Sequence, residues 1–177
     1  MRKATLFIAA SLDGYIARRD GSVDWLHGQD GSGDGMSGYD AFIRDIDTVV
    51  MGWNTYHQVT TELSRTAWPY RGLTTYVMTH RTPPAADEDI HFVDRDVCEL
   101  LAGLKRRPGK GIWICGGAGV IRPLLQGGAI DRLHISVIPV ILGDGIPLFG
   151  RLERELPLRF LHSRSYDGIT DLVYEVE

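Results

Sequence analysis

Short apolar runs alternating with amphipathic helical patterns restrict this chain to a sheet built by crossovers. Residues 4–10, 48–51, 74–79, 90–93 and 112–115 form such runs, bounded by glycine or polar residues, and suit strands covered on both faces. Between them, Tyr39, Phe42, Ile43 and Ile46 fall at i, i+3, i+4 and i+7. Val97, Leu100, Leu101 and Leu104 repeat that spacing, with Asp94 or Asp96 placed to cap the helix. Residues 119–126 read as a third helix, with Pro123 near its first turn and Gly127 and Gly128 ending it. Farther on, Leu133, Ile135 and Val137 alternate with less apolar residues, and residues 158–165 and 172–176 read as strands joined by a turn at Asp167 and Gly168. The expected fold is a single α/β domain over residues 1–177: a mostly parallel sheet, antiparallel C-terminal strands, and helices on both faces. The glycine-rich residues 28–38 read as a loop before the first helix, not a domain linker.

Composition narrows the function. A net charge of −4 argues against a nucleic-acid partner. Cys98 and Cys115 have neither metal-ligand nor disulfide-framework spacing and read as small buried hydrophobes in a reducing compartment. The apolar stretch after Met1, Arg2 and Lys3 is too short for a leader, and Asp13 and Arg18 soon interrupt it with charge. No run reaches the roughly 20 apolar residues of a membrane span, so a cytoplasmic protein is expected.

Three strand ends carry groups suited to an anion. The run 112–115 ends in Gly116 and Gly117, and Ala118, Gly119, Val120 and Ile121 open a helix. Glycines let a ligand approach the backbone, and a helix start offers free N–H groups. A tight turn without a ligand would carry the same glycines. The GxGxxG pattern fails, because Arg122 stands where its third glycine belongs. Gly52, Trp53, Asn54 and Thr55 follow the second run; Asn54 and Thr55 can cap a helix or meet a phosphate. Thr79, His80 and Arg81 end the third, where Arg81 offers a fork for phosphate and a flat face for adenine. In an open α/β sheet such strand ends can share one ligand.

Together these residues resemble the dihydrofolate reductase superfamily, and within it the RibD C-terminal domain of riboflavin biosynthesis. Residues 11–17 (SLDGYIA), 51–56 (MGWNTY), the glycine pair 116–117 and residues 143–149 (GDGIPLF) match that family's segments in order. The resemblance implies an NADPH-dependent oxidoreductase acting on a small heterocycle, of the 5-amino-6-(5-phosphoribosylamino)uracil reductase type. It implies that Ala10 and Ile16 line the nicotinamide and that Gly52–Thr55 hold phosphate. Thr79, His80 and Arg81 take the adenosine end, and Gly116–Ile121 cradle the pyrophosphate. Trp25 is the expected roof of the substrate pocket, although an ordinary core tryptophan would look the same. The family often carries Arg where this chain has Trp53; Arg81 can cover that loss, or Trp53 can stack on adenine. A homodimer is implied, with the strands of residues 133–142 as the expected edge.

A proton source is less legible. Folate reduction uses an acid on the first helix, and the stripe from Tyr39 to Ile46 has none. Asp40 lies about 100° around the helix from Tyr39, and Asp34 sits in the glycine-rich loop. Tyr39 and Asp40 remain the substrate-side candidates on that helix, and dihydrofolate reduction itself is not expected. Asp13, after the first strand, is the catalytic candidate, or else a turn former. A binding module of the same fold without chemistry is the alternative.

Overall fold

The computed structural model describes residues 1–29, 36–85 and 87–177, the side chains of residues 36 and 37 apart. Its strands are β1 (Ala4–Ser11), β2 (Tyr15–Ala17), β3 (Ile46–Gly52), β4 (Thr74–Met78), β5 (Ile90–Val93), β6 (Gly111–Gly116), β7 (Arg132–Ile138), β8 (Ile146–Pro147), β9 (Leu158–Tyr166) and β10 (Ile169–Val176). Its helices are α1 (Met36–Arg44), α2 (Trp53–Gln58), α3 (Val97–Arg106) and α4 (Ala118–Gln126), and α2 runs on into a π-helical segment, Val59–Leu63. The main sheet has eight strands in the order β5-β4-β3-β6-β1-β7-β10-β9. Only β10 runs against the others in it; β9, antiparallel to β10, points the same way as β1. β2 and β8 pair separately beside the end of β1.

Side-chain alternation along the strands builds two cores. Leu6, Val50, Ile112, Ile114 and Leu133 meet Leu100, Leu101, Ile121 and Leu124 from α3 and α4 on one face. Val49, Met51, Val77 and Trp113 meet Tyr39, Phe42 and Ile43 of α1 and Tyr56 of α2 on the other. Asp96 caps α3, its carboxylate accepting from Cys98 N at 2.8 Å and Glu99 N at 3.0 Å. Asp94 instead pairs with His80.

Several local expectations change. Ile46 opens β3 and pairs with Gly111 instead of extending α1, because parallel pairing overrides the helical spacing. Thr79 falls just beyond β4. Pro123 lies in the second turn of α4, where its missing N–H leaves the Gly119 carbonyl without the usual helical donor. The expected edge at residues 133–142 is not an edge: β7 sits between β1 and β10, and β9 forms that border of the sheet.

Candidate functional site

β3 and β6 are neighbours, and Met51 pairs with Gly116, so the first two glycine junctions meet. A methyl group on Gly52 would lie 3.5 Å from Val120 Cγ2 and 3.8 Å from Gly117 N. One on Gly117 would lie 3.5 Å from Thr55 Oγ1. Gly116 has φ +131°, a conformation other residues rarely adopt, and the Gly116–Gly117 peptide is cis. Gly117 is the N-cap of α4, and its carbonyl accepts from Val120 N at 3.0 Å and Ile121 N at 3.1 Å. Helix geometry leaves the N–H groups of Ala118 and Gly119 without intrahelical partners. A methyl on Gly119 would meet open space, so the helix start is uncovered there.

The third junction adjoins these, since Gly52 pairs with Met78. The Arg81 guanidinium carbon lies 5.5 Å above the Trp53 ring. Thr79 Oγ1 accepts from Arg81 N at 3.0 Å, while His80 is exposed beside Asp94. Asn54 is exposed and Thr55 faces the glycine pair. Neither caps α2: its N-cap is Gly52, and no side chain serves there. Gly52, Thr55, Gly116, Gly117 and Val120 therefore converge, with Trp53 and Arg81 continuing the surface along β4.

At the end of β1, Ala10 is buried, and Ile16 packs against the core beneath α4. Asp13 faces a loop. Its Oδ1 accepts from Ser11 Oγ at 2.6 Å and Leu142 N at 3.1 Å, and its Oδ2 accepts from Gly143 N at 2.7 Å. The Ser11 hydroxyl, then the Gly143 and Leu142 amides, outweigh desolvation and hold this carboxyl below the ordinary range. An ionised group so engaged suits an anchor for residues 142–143 better than a proton donor.

Of the remaining candidates, Tyr39 and Asp40 lie on α1 and Trp25 precedes it in the chain. Trp25 is buried, and its Nε1 has no hydrogen-bond partner among the described residues. Tyr39 stacks on Phe7 with ring centres 6.1 Å apart; burial, then Cys115 and Asp40, pushes its hydroxyl pKa up. Asp40 is exposed to solvent, which removes the reason for placing it against a buried substrate. Asp34 lies outside the described residues. A buried acid on the sheet face under α1 is Asp171 of β10. It is 3% exposed and accepts from Ser136 Oγ at 2.6 Å and Tyr166 Oη at 3.2 Å. His134 Nε2 lies 3.4 Å from Asp171 Oδ2, an ion-pair distance without hydrogen-bond geometry. Burial pushes the Asp171 carboxyl up, but His134 and Ser136 outweigh it and leave it lowered. Its place just before the apolar stretch 172–176 was the one sequence signal for it; the partners come from other strands.

A family model described as the RibD C-terminal domain matches residues 2–171. YwjB, an uncharacterised protein of Bacillus subtilis, is 40% identical over 173 residues, covering 98% of this chain and 97% of that one. A crystal structure from Shewanella sp. PV-4, provisionally named a riboflavin biosynthesis protein, superposes with TM-score 0.85 at 32% identity, over 99% of both chains. The dihydrofolate reductase of Enterococcus faecalis, solved with NADP(H), shares the fold with TM-score 0.69 at 17% identity, over 99% of this chain and 96% of that one. Among the described residues, no helix is long and apolar enough to cross a membrane.

Proposed function

The chain belongs to the RibD C-terminal domain family, and from that membership we propose that it is an NADPH-dependent reductase of a small nitrogen heterocycle. One observation carries the cofactor assignment: Gly52, Thr55, Gly116, Gly117 and Val120 meet at two adjoining strand ends, beneath an uncovered helix start. In this proposal the Ala118 and Gly119 N–H groups hold the pyrophosphate and Thr55 adds a hydroxyl. Arg81 takes the 2′-phosphate, keeping its place over Trp53. Ala10 and Ile16 border the nicotinamide. NADPH supplies the hydride when bound; the chain binds, orients and excludes water.

The substrate class proposed is a heterocycle of the 5-amino-6-(5-phosphoribosylamino)uracil type, taken on the sheet face under α1 near Tyr39, with Trp25 proposed as its roof. The protein is expected in the cytoplasm and as a homodimer. Titration of the full chain with NADPH, followed by nicotinamide fluorescence, tests the cofactor assignment. Saturable enhancement supports it; no binding at millimolar cofactor sinks it.

A further inference from the structure

A cavity of about 630 Å³ opens on the sheet face beside α1, and Gly38, Phe42, His134, Arg132 and Asp171 are among the residues that line it. That volume lies within the roughly 300–1,000 Å³ usual for small-molecule sites. Asp171 lies at its upper end, in one cross-strand row with Ser136 and Ala9. Ala9 immediately precedes Ala10 in β1, so this row lies toward the strand end that carries the proposed nicotinamide position.

The polar atoms here are incompletely satisfied. Asp171 Oδ1 receives both hydroxyl donors, from Ser136 and Tyr166. Oδ2 faces His134 Nε2, which is buried and has no hydrogen-bond partner among the described residues. A carboxylate offers about four acceptor positions, so Oδ2 retains capacity for a donor. Above it α1 passes close: a methyl on Gly38 would come within 3.1 Å of Oδ2, so the missing Cβ keeps this oxygen uncrowded. Flat faces stand alongside, with Phe7 4.7 Å from Phe42 and 4.2 Å from His134 between ring centres.

We propose that Asp171, backed by Ser136 and Tyr166, is the residue that recognises the substrate, accepting hydrogen bonds from adjacent N–H donors on the amidine-like edge of a planar nitrogen heterocycle. The acid absent from the α1 stripe is thus supplied by β10. This assignment rests on the reductase reading and deepens its substrate class. Charge-assisted pairing between such an edge and a buried carboxylate is strong and directional.

The probe is 2,4-diaminopyrimidine, titrated into the full chain and followed by calorimetry and tryptophan fluorescence. Wild type is compared with Asp171→Asn and Gly38→Ala, with thermal melts of each. Asp171→Asn should weaken the probe by about tenfold or more, the scale of one hydrogen bond to a charged group. Gly38→Ala keeps the charge and favours the helix, yet crowds Oδ2; it should weaken the probe several-fold, roughly the loss of part of one such bond, with the protein still folded in its thermal melt. Absence of probe binding to wild type overturns the proposal. So does equal affinity across the folded variants, even with a lowered melting temperature for Asp171→Asn, which would make Asp171 only an anchor for α1. NADPH titration of the same samples stands apart: lost NADPH binding in wild type counts against the reductase reading, whereas lost probe binding alone counts only against Asp171.

Discussion

Asp13 joins two loops through one exposed side chain, and its protonation state sets its value. Its folded pKa is lowered, so its contribution is fully present above the unfolded value of about 3.9 and disappears as pH falls through the folded value. Asp171 has the same sign, for a different balance of burial against hydrogen bonds. Denaturant unfolding from pH 2 to 6 should show wild type losing stability on acidification, with a shallower loss in Asp13→Asn. Faster amide exchange at Leu142 and Gly143 should accompany that variant, since their carboxylate acceptor is weakened. Cys115 offers a second check. Part of the residue is accessible, but its thiol is desolvated against Tyr70, and burial pushes its pKa up to about 12. Burial raises the Cys98 thiol as well. Iodoacetamide at pH 8 should label neither cysteine in the native protein and both in urea, read by mass.

The glycines of α4 separate folding from binding at the level of the element. Gly119→Ala adds a methyl to open space at a helical position, so fold and melting temperature should hold. NADPH affinity should fall, because the methyl covers the proposed phosphate approach; a nicotinamide-fluorescence titration measures it. Gly116→Ala should be destabilising whatever its effect on binding, because φ +131° disfavours any Cβ. At α3, Asp96→Ala removes the acceptor for Cys98 N and Glu99 N and should cost about 1 kcal/mol in urea unfolding.

Across the whole molecule, the sheet ends on β9, whose outer edge has no partner strand among the described residues. Leu158 and Phe160 on it are 42% and 55% exposed. An exposed edge of this kind is a ready surface for pairing. Light scattering should report the mass of two chains, and charged replacements at both positions should shift it toward one. A monomer at high micromolar concentration would remove the dimer from the proposal.

Strand and helix identities were legible because they depend on local periodicity, and the three strand ends proposed to meet the cofactor because their glycines and polar residues are neighbours in sequence. Ile46 misled, since its spacing suits α1 while its backbone pairs with Gly111, far along the chain. Strand order is likewise non-local, so nothing near residues 133–142 announces that β10 covers that strand. Asp171 was hidden for the same reason: Ser136 stands 35 residues away, and a buried acid is recognisable only once its donors are in place. The sequence by itself determined the family, the elements and the glycine junctions at the strand ends, because each depends on neighbours along the chain. The tertiary structure alone decided which buried carboxylate lines the cavity, because sheet pairing brings donors and acceptor together across strands.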